Sequence, residues 1–540
     1  MARDDSFPQV TGLLLCALLL LLTACPSDSP GRPTAADSIR IESSEPASLD
    51  PARADDPDEI MIVRNMFKGL VDYDPVTAAV RPASAASWKI NSDARRYTFT
   101  LRKTNRFSNG EGVTAESFVR GFNRAAAKAF GSPLASQFSN IAGFDDYRAA
   151  KVDGLAGVTA LDEFRLQITL TNSDADFLAK LAQTIFSPTP SEAAMSIQKP
   201  SFGEHPIGNG PFMIEEWKHN EAVRLVPNPE WYGKKPALGA VTFVLLSDLD
   251  LAFDQWQAGN LDWTRVPPTK LRQAETENPS RVIKRSPSTL IYLVAITNLG
   301  PTQSTPLRQA ISYAIDRRAI SAKVSAGIDP PATGLFPPGM PGYRDPGSSS
   351  RACSYCSYNP PRAREILKLS RVPASTTITV AFPAGLGADA YAAQVAAYIH
   401  ANLGLQTRLV EKKPLSDYRS FLSTTTAGLL GSLTISMSYP SPENFLRSMF
   451  APGGDANYSR WSNPSFDQFV MQARAERNDA TRIESYRRAE DLVLANLPVV
   501  PLLWRGELRL VNLSRFTKLD MDPFGYPALE TAVPKKGTSG

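Results

Sequence analysis

Apolar and polar positions follow two distinct periods along the chain. In RRYTFTLR (95–102) Tyr97, Phe99 and Leu101 alternate with polar residues, and in EFRLQITL (163–170) Phe164, Leu166, Ile168 and Leu170 do the same. Successive side chains of a strand point to opposite faces, so both stretches predict half-buried strands. AVRLVPN (222–228), VTFVLL (241–246), LIYLVAITN (290–298) and TTITVAFP (376–383) predict further strands. Elsewhere the period is helical. Asp56-Pro57-Asp58-Glu59 reads as a capping box with proline at the first helical position, and Ile60, Val63, Met66, Phe67 and Leu70 follow on one face. The acidic residues there read as helix N-terminal charge in preference to a metal site. Helices are also predicted over 114–130, 305–320, 359–369, 463–476 and 479–497, with Thr305-Pro306 and Asn359-Pro360 as cap and first-turn pairs. PIGNGP (206–211) precedes the strand-like FMIEEW and reads as a turn. Strands and helices interleave without a repeat, so the fold class is mixed α/β and not a solenoid.

The N-terminus follows a different pattern. Residues 13–22 are an apolar run, too short for a spanning helix of about 20 residues and of signal-peptide length. The run ends in Leu22-Thr23-Ala24-Cys25, an apolar residue and two small ones before a cysteine. This resembles the lipobox of bacterial lipoproteins. The resemblance implies cleavage after residue 24 and acylation of Cys25, with PSDSPGRPTAAD (26–37) as a flexible tether. The leading MARDD sets Arg3 against Asp4 and Asp5, so its positive charge is weak. An uncleaved anchor or a plain secretory signal is the alternative.

Composition changes this picture little. Of 540 residues 43 % are hydrophobic and 21 % charged, and 58 basic against 54 acidic residues leave +4, spread along the chain. No basic stripe points to nucleic acid. There is no G-x-S-x-G, H-E-x-x-H, P-loop or dinucleotide fingerprint, and 3 histidines leave little for acid–base work. No catalytic residue, metal ligand or cofactor is assigned. With Cys16 in the signal and Cys25 taking lipid, only Cys353 and Cys356 remain, in a loop without the strand–turn–helix context of a redox motif. A local disulfide is expected outside the cytoplasm, with a metal site or free thiols as the alternatives.

The order of segments carries more. EPASLDP (45–51), FKGLVDYDP (67–75) and YTFTLRKTNRFSNGEGVTAESFVRGFNR (97–124) resemble the family 5 extracellular solute-binding proteins. So do PIGNGPFMIEEWKHNEAVRLVPNPEWYG (206–233), WQAGNLDW (256–263), TPLRQAISYAIDRRAI (305–320), YNPPRAREILK (358–368), NYSRWSNPSFDQFVMQARAERN (457–478) and LPVVPLLW (497–504). The resemblance implies a non-enzymatic, monomeric capture subunit of a peptide or nickel ABC importer, with a two-lobed periplasmic-binding-protein-like α/β fold of class II type and an extra domain on the first lobe. Signal (1–24) and tether (25–37) would precede domain I (38–72, 190–285 and 500–540). Domain II (73–189) would complete the first lobe and domain III (286–499) would form the second. Chain crossings near Pro287 and near Pro498–Pro501 would make a two-strand hinge.

In peptide-binding relatives a carboxylate holds the ligand amine within a segment resembling W-x-x-D-Y-x-x-P-x-x-F. Here it reads Ile435-Ser436-Met437-Ser438-Tyr439-Pro440-Ser441-Pro442-Glu443-Asn444-Phe445, with Ser438 in the acid's place and Ile435 in the tryptophan's. No arginine or lysine occurs from Ser420 to Leu446. The ligand-binding set implied is Glu45, Asn209, Ser436, Met437, Ser438, Tyr439, Glu443 and Asn457. Glu443 either replaces the missing acid or is a solvent-facing cap of the NFLRSMF helix. The implied partners are a peptide or similar medium-sized solute, the permease subunits and the bilayer through Cys25. Haem or another large solute, a nickel chelate, and a lipoprotein enzyme or chaperone on the same fold are the alternatives.

Replacing Cys25 by alanine is expected to leave a longer precursor without lipid. Intact mass and detergent partitioning check this, and values identical to wild type would refute the anchor.

Overall fold

The computed structural model describes residues 37–535, apart from 76, 195–200, 348–351, 385–386, 455 and 523. The signal segment, Cys25 and the tether up to residue 36 lie outside the described residues.

Two long strands organise the rest. Val282–Ala295 and Val499–Val511 run antiparallel, and their register breaks between Arg285 and Thr289 and again between Ile291 and Tyr292. Beyond the first break, Val282–Ala295 also pairs with Leu430–Ser436, which leads to Thr377–Pro383 and Gln406–Lys412 through parallel ladders. On the other flank Val499–Val511 pairs with Trp263–Arg265, followed by Ser38–Ser43, Ala240–Leu245, Ala222–Pro227 and Phe212–Lys218. Among the described residues this makes one sheet of ten strands. The first break coincides with Pro287. Its counterpart on the return strand is Glu507 to Arg505, whereas Pro501 lies farther along, opposite Tyr292.

The apolar run LIYLVA fits a strand covered on both faces. Ile291, Leu293 and Ala295 pack with the helices Thr305–Ala314 and Ala388–Leu403, while Leu290, Tyr292 and Val294 join Trp504, Phe466 and Tyr486. In the other half Ile39, Ile41, Phe243 and Trp263 bury against Ile62, Val63 and Met66 of the helix Pro57–Met66. A separate antiparallel sheet orders Ala85–Ile90, Arg96–Leu101, Arg165–Thr169 and Val158–Asp162. Its alternating Tyr97, Phe99, Leu166 and Ile168 bury with Phe118 and Phe122 of the helix Ala115–Ala126.

Local chemistry corrects two expectations and extends a third. Residues 305–320 form two helices, because the Asp316 carboxylate accepts the Ala319 amide at 3.0 Å and starts Arg317–Val324 anew. The helix expected over 114–130 ends at Ala126. Asp56 caps Pro57–Met66 by accepting the Asp58 amide at 2.8 Å, and the Glu59 carboxylate of the expected box reaches past the cap as well, to the Asp55 amide at 3.3 Å and the Ala47 amide at 2.7 Å. Asp58 likewise accepts from the Ser44 amide at 2.9 Å and pairs with Arg265 at 2.9 Å. These acids fasten the first strand-to-helix connection. The turn PIGNGP lies against the end of the same helix, where a Cβ on Gly208 would stand 1.9 Å from the Met66 carbonyl oxygen. Only glycine fits there. Cys353 and Cys356 are bonded, with Sγ–Sγ 2.06 Å.

A buried charge cluster joins segments far apart in sequence. Lys180 Nζ lies 2.6 Å from Asp174 Oδ2 and 2.9 Å from Glu443 Oε1, and both carboxylates are fully buried. Arg474 approaches the same two acids at 3.4 and 3.5 Å, and its carbonyl accepts the Ala175 amide at 2.8 Å. The Tyr439 hydroxyl donates to Glu443, and the Tyr486 hydroxyl donates to Asp176 at 2.6 Å. Glu443 does open the helix Glu443–Phe450, but it is not solvent-facing. Burial acts to raise its carboxyl, yet Lys180 and Arg474 outweigh burial and hold it below the ordinary range. Burial, with the Asp174 charge beside it, pushes the Asp176 carboxyl up to about 6.

Changing Glu443 to Ala leaves Lys180 and Arg474 to share Asp174 as their remaining close buried acid, an excess of buried positive charge that is expected to cost about 3–5 kcal/mol. Adding Lys180→Met is expected to recover part of that loss in urea melts, because the two residues share one interaction. For Asp176, the folded chain keeps a proton that the unfolded chain releases near pH 4. Its contribution is therefore present at acid pH and is lost as pH rises from about 4 to about 6, by about 3 kcal/mol at most. Urea melts across that window should show this slope in wild type and lack it in Asp176→Asn.

Candidate functional site

A cavity of about 240 Å³ opens beside the charge cluster. Four stretches of chain and Leu134 wall it. The helix Pro57–Met66 and the residues after it supply Ile60, Arg64, Phe67, Lys68 and Tyr73, and the turn around Thr184–Phe186 supplies Gln183, Thr184 and Ser187. The strand Leu430–Ser436 and its continuation bring Ser436, Met437 and Ser438, and Phe524 and Tyr526 come from the C-terminal segment.

Each wall is held by its backbone. Met437 donates its amide to the Ser288 carbonyl at 2.8 Å, and the Ser438 amide donates to Asn444 Oδ1 at 2.8 Å. The Ser436 and Thr289 hydroxyls lie 2.8 Å apart across the ladder. Asp522 Oδ1 accepts the Phe524 and Tyr526 amides, each at 2.9 Å, and its Oδ2 binds Arg64. Arg64 lies over both rings, 5.9 Å from the Phe524 centroid and 5.5 Å from the Tyr526 centroid.

The cationic groups of the wall are already paired. Lys68 Nζ stands 2.7 Å from Asp72 and 3.1 Å from Glu530, and Arg81 Nη2 stands 3.0 Å from Asp72. Burial tends to raise the Asp72 carboxyl, but Lys68, Arg64 and Arg81 outweigh it and keep it well below the usual carboxylate range. The apolar part of the wall is aromatic, with Tyr73 and Phe524 centroids 5.3 Å apart. Asp55 stands exposed at the rim. A wall of rings, paired charges and serines can hold a solute by packing and neutral hydrogen bonds.

The structure brings together only some of the residues expected to bind ligand. Ser436, Met437 and Ser438 line the cavity. Tyr439 is buried just behind them, packed with Tyr73 and Phe524, and Lys180 Nζ sits 5.5 Å from its ring centroid. Glu443 faces a second, adjoining cavity of about 240 Å³, and its carboxylate is engaged by Lys180 and Tyr439. Three others do not line the cavity. Glu45 bonds Trp217 Nε1 at 3.2 Å, His219 Nδ1 at 2.8 Å and the Asn220 amide at 2.8 Å. Asn457 Nδ2 donates to the Trp461 carbonyl at 3.1 Å, closing its own turn. Asn209 is fully buried and brackets Lys68, accepting its amide and donating to its carbonyl, each at 3.0 Å.

Sequence reasoning missed Arg64, Lys68, Asp72, Gln183, Thr184, Ser187 and the rings of Phe524 and Tyr526. FKGLVDYDP held part of the signal, since it puts Lys68 and Asp72 four residues apart beside Phe67 and Tyr73. Among the described residues no group of three His, Cys, Asp or Glu could hold a metal ion, and no helix is long and apolar enough to cross a membrane.

Comparison with known proteins agrees with this architecture. Residues 79–457 match the family described as bacterial extracellular solute-binding proteins, family 5 middle. The periplasmic murein peptide-binding protein MppA of Escherichia coli is 29 % identical over 485 residues, covering 88 % of each chain. The periplasmic oligopeptide-binding protein OppA of Salmonella typhimurium is 28 % identical over 518 residues, covering 92 % of this chain and 93 % of its own. The solved structure of the Escherichia coli murein tripeptide binding protein MppA superposes with a TM-score of 0.77 at 26 % identity, covering 94 % of this chain and 100 % of that one. The fold is therefore that of the two-lobed periplasmic peptide-binding proteins, and the chain belongs to the family 5 bacterial extracellular solute-binding proteins.

Proposed function

We propose that the protein is a lipid-anchored capture subunit that encloses peptides between two lobes and delivers them to the permease of an ABC importer. In this reading residues 38–72, 190–285 and 500–540 with 73–189 form one lobe, and 286–499 form the other. The register break between Arg285 and Thr289 supports a hinge there, because it loosens the ladder where the chain would cross. The observation that carries the reading is the makeup of the cavity. Its wall draws Phe67 from 38–72, Ser187 from 73–189, Ser438 from 286–499 and Phe524 from 500–540, so a solute held there would touch both lobes.

The peptide's amine is held without a carboxylate at the Ser438 end. Ser438 offers a hydroxyl, and the nearby acid Glu443 is already neutralised by Lys180 and Arg474. Neutral contacts of this kind contribute about 1 kcal/mol each and are little screened by salt.

Titration calorimetry with free and N-acetylated tripeptides tests this. Acetylation should cost wild type about 1 kcal/mol, and Ser438→Asp should raise the preference for free-amine peptides several-fold. Rejection of acetylated peptides by orders of magnitude in wild type would place a charged anchor elsewhere.

A further inference from the structure

Ser187 is 3 % exposed, lines the cavity, and its Oγ has no hydrogen-bond partner in the structure. Buried hydroxyls are nearly always bonded, so an orphan beside a cavity needs a cause. Looseness is not the cause. Its amide donates to the Thr184 carbonyl at 3.0 Å, closing the turn Thr184–Phe186. Phe186 is locked among rings, 5.4 Å from Phe122 and 4.7 Å from Phe138 between centroids. Behind it the chain packs so closely on the helix Ala115–Ala126 that a Cβ on Gly121 would stand 2.5 Å from the Ser187 carbonyl oxygen. The backbone that carries the hydroxyl is therefore held in a fixed place at the edge of the space.

The cavity's other surfaces define what could meet it. Its cations are paired, so the wall offers no unspent positive charge to a carboxylate. Phe67, Val71, Met437, Phe524 and Tyr526 present an apolar surface. A hydroxyl both donates and accepts, which suits a neutral amide, and an apolar surface suits a hydrocarbon side chain next to that amide.

We infer that Ser187 is a ligand-binding residue that hydrogen-bonds a main-chain amide of the bound peptide, and that the neighbouring peptide side chain is apolar and packs on the aromatic wall. The inference rests on the peptide reading above and adds to it both the contact and the preferred side chain. A hydroxyl carried on a fixed backbone loses little freedom on binding, and its contribution appears only when ligand is present.

Calorimetry with the tripeptides Ala-Leu-Ala and Ala-Glu-Ala, together with melts of the ligand-free protein, tests it. Ser187→Ala should weaken Ala-Leu-Ala binding about 5- to 10-fold. Its ligand-free Tm should equal or exceed that of wild type, because the variant no longer buries an unbonded hydroxyl. Ser187→Cys, which keeps the shape and weakens the bond, should fall between. Wild type should prefer Ala-Leu-Ala over Ala-Glu-Ala by about tenfold or more, the scale of one buried side chain. Unchanged affinity in Ser187→Ala, or a ligand-free Tm lowered by several degrees, overturns the assignment while leaving peptide capture intact. Equal binding of the two tripeptides overturns the apolar preference. No binding of either by wild type overturns the peptide reading itself, and this inference with it.

Discussion

Lys180 lies between two buried carboxylates, Asp174 from its own stretch of chain and Glu443 from a stretch far along the sequence, and the cavity takes its shape from that meeting. Downstream of Lys180 the chain runs directly into Gln183, Thr184 and Ser187 of one wall. Upstream of Glu443 it passes through Tyr439 to Ser438, Met437 and Ser436 of the opposite wall. Taking these charges out of water is expensive, and their attraction roughly offsets the cost. What the cluster contributes is specification. The two walls can meet in one relative position, because any other leaves a bare charge in the interior.

The same cluster bears on the acid nearest Ser438. Glu443 carries a charge that Lys180, Arg474 and the Tyr439 hydroxyl already absorb. The wall nearer the cavity repeats this logic with Lys68, Arg81, Asp72 and Glu530. Formal charges are numerous around the space and, Asp55 at the rim apart, are spent on one another. Under the proposed function, selection of a solute would then fall to shape, rings and hydroxyls, a mode that tolerates varied side chains more readily than ion pairing at fixed points.

Much of the fold was legible because its signals are local. Alternation in RRYTFTLR and EFRLQITL reports one covered face, and the Asn359 cap with prolines behind it reports a helix start, since each depends on residues a few positions apart. The split after Ile315 was less visible, because apolar spacing continues through it and only the Asp316 carboxylate marks the new start. The site was legible where it follows one strand, at Ser436 to Ser438. It was illegible where it depends on partners far away. Nothing within 443–450 announces that Glu443 will meet Lys180. Likewise nothing near Asn209 or Asn457 reveals that their amides are used up by Lys68 and Trp461 carbonyls. Ser187 gave no pattern at all, since an unbonded hydroxyl is a property of the assembled interior.

The order of strands in the large sheet also bears on how the chain comes to exist. Val499–Val511 lies between Trp263–Arg265 and Val282–Ala295, and Arg515 just beyond it reaches Asp262 at 2.6 Å. Both flanking strands are synthesised long before their partner. Until it arrives, each presents a row of unbonded amides and carbonyls, the kind of edge that recruits strands from other molecules. Closing the loops that bring so distant a segment into place is slow, as for any topology dominated by non-local pairing. The last long strand thus works as a keystone, and the interval before it seats is when a growing or newly released chain is most exposed to self-association.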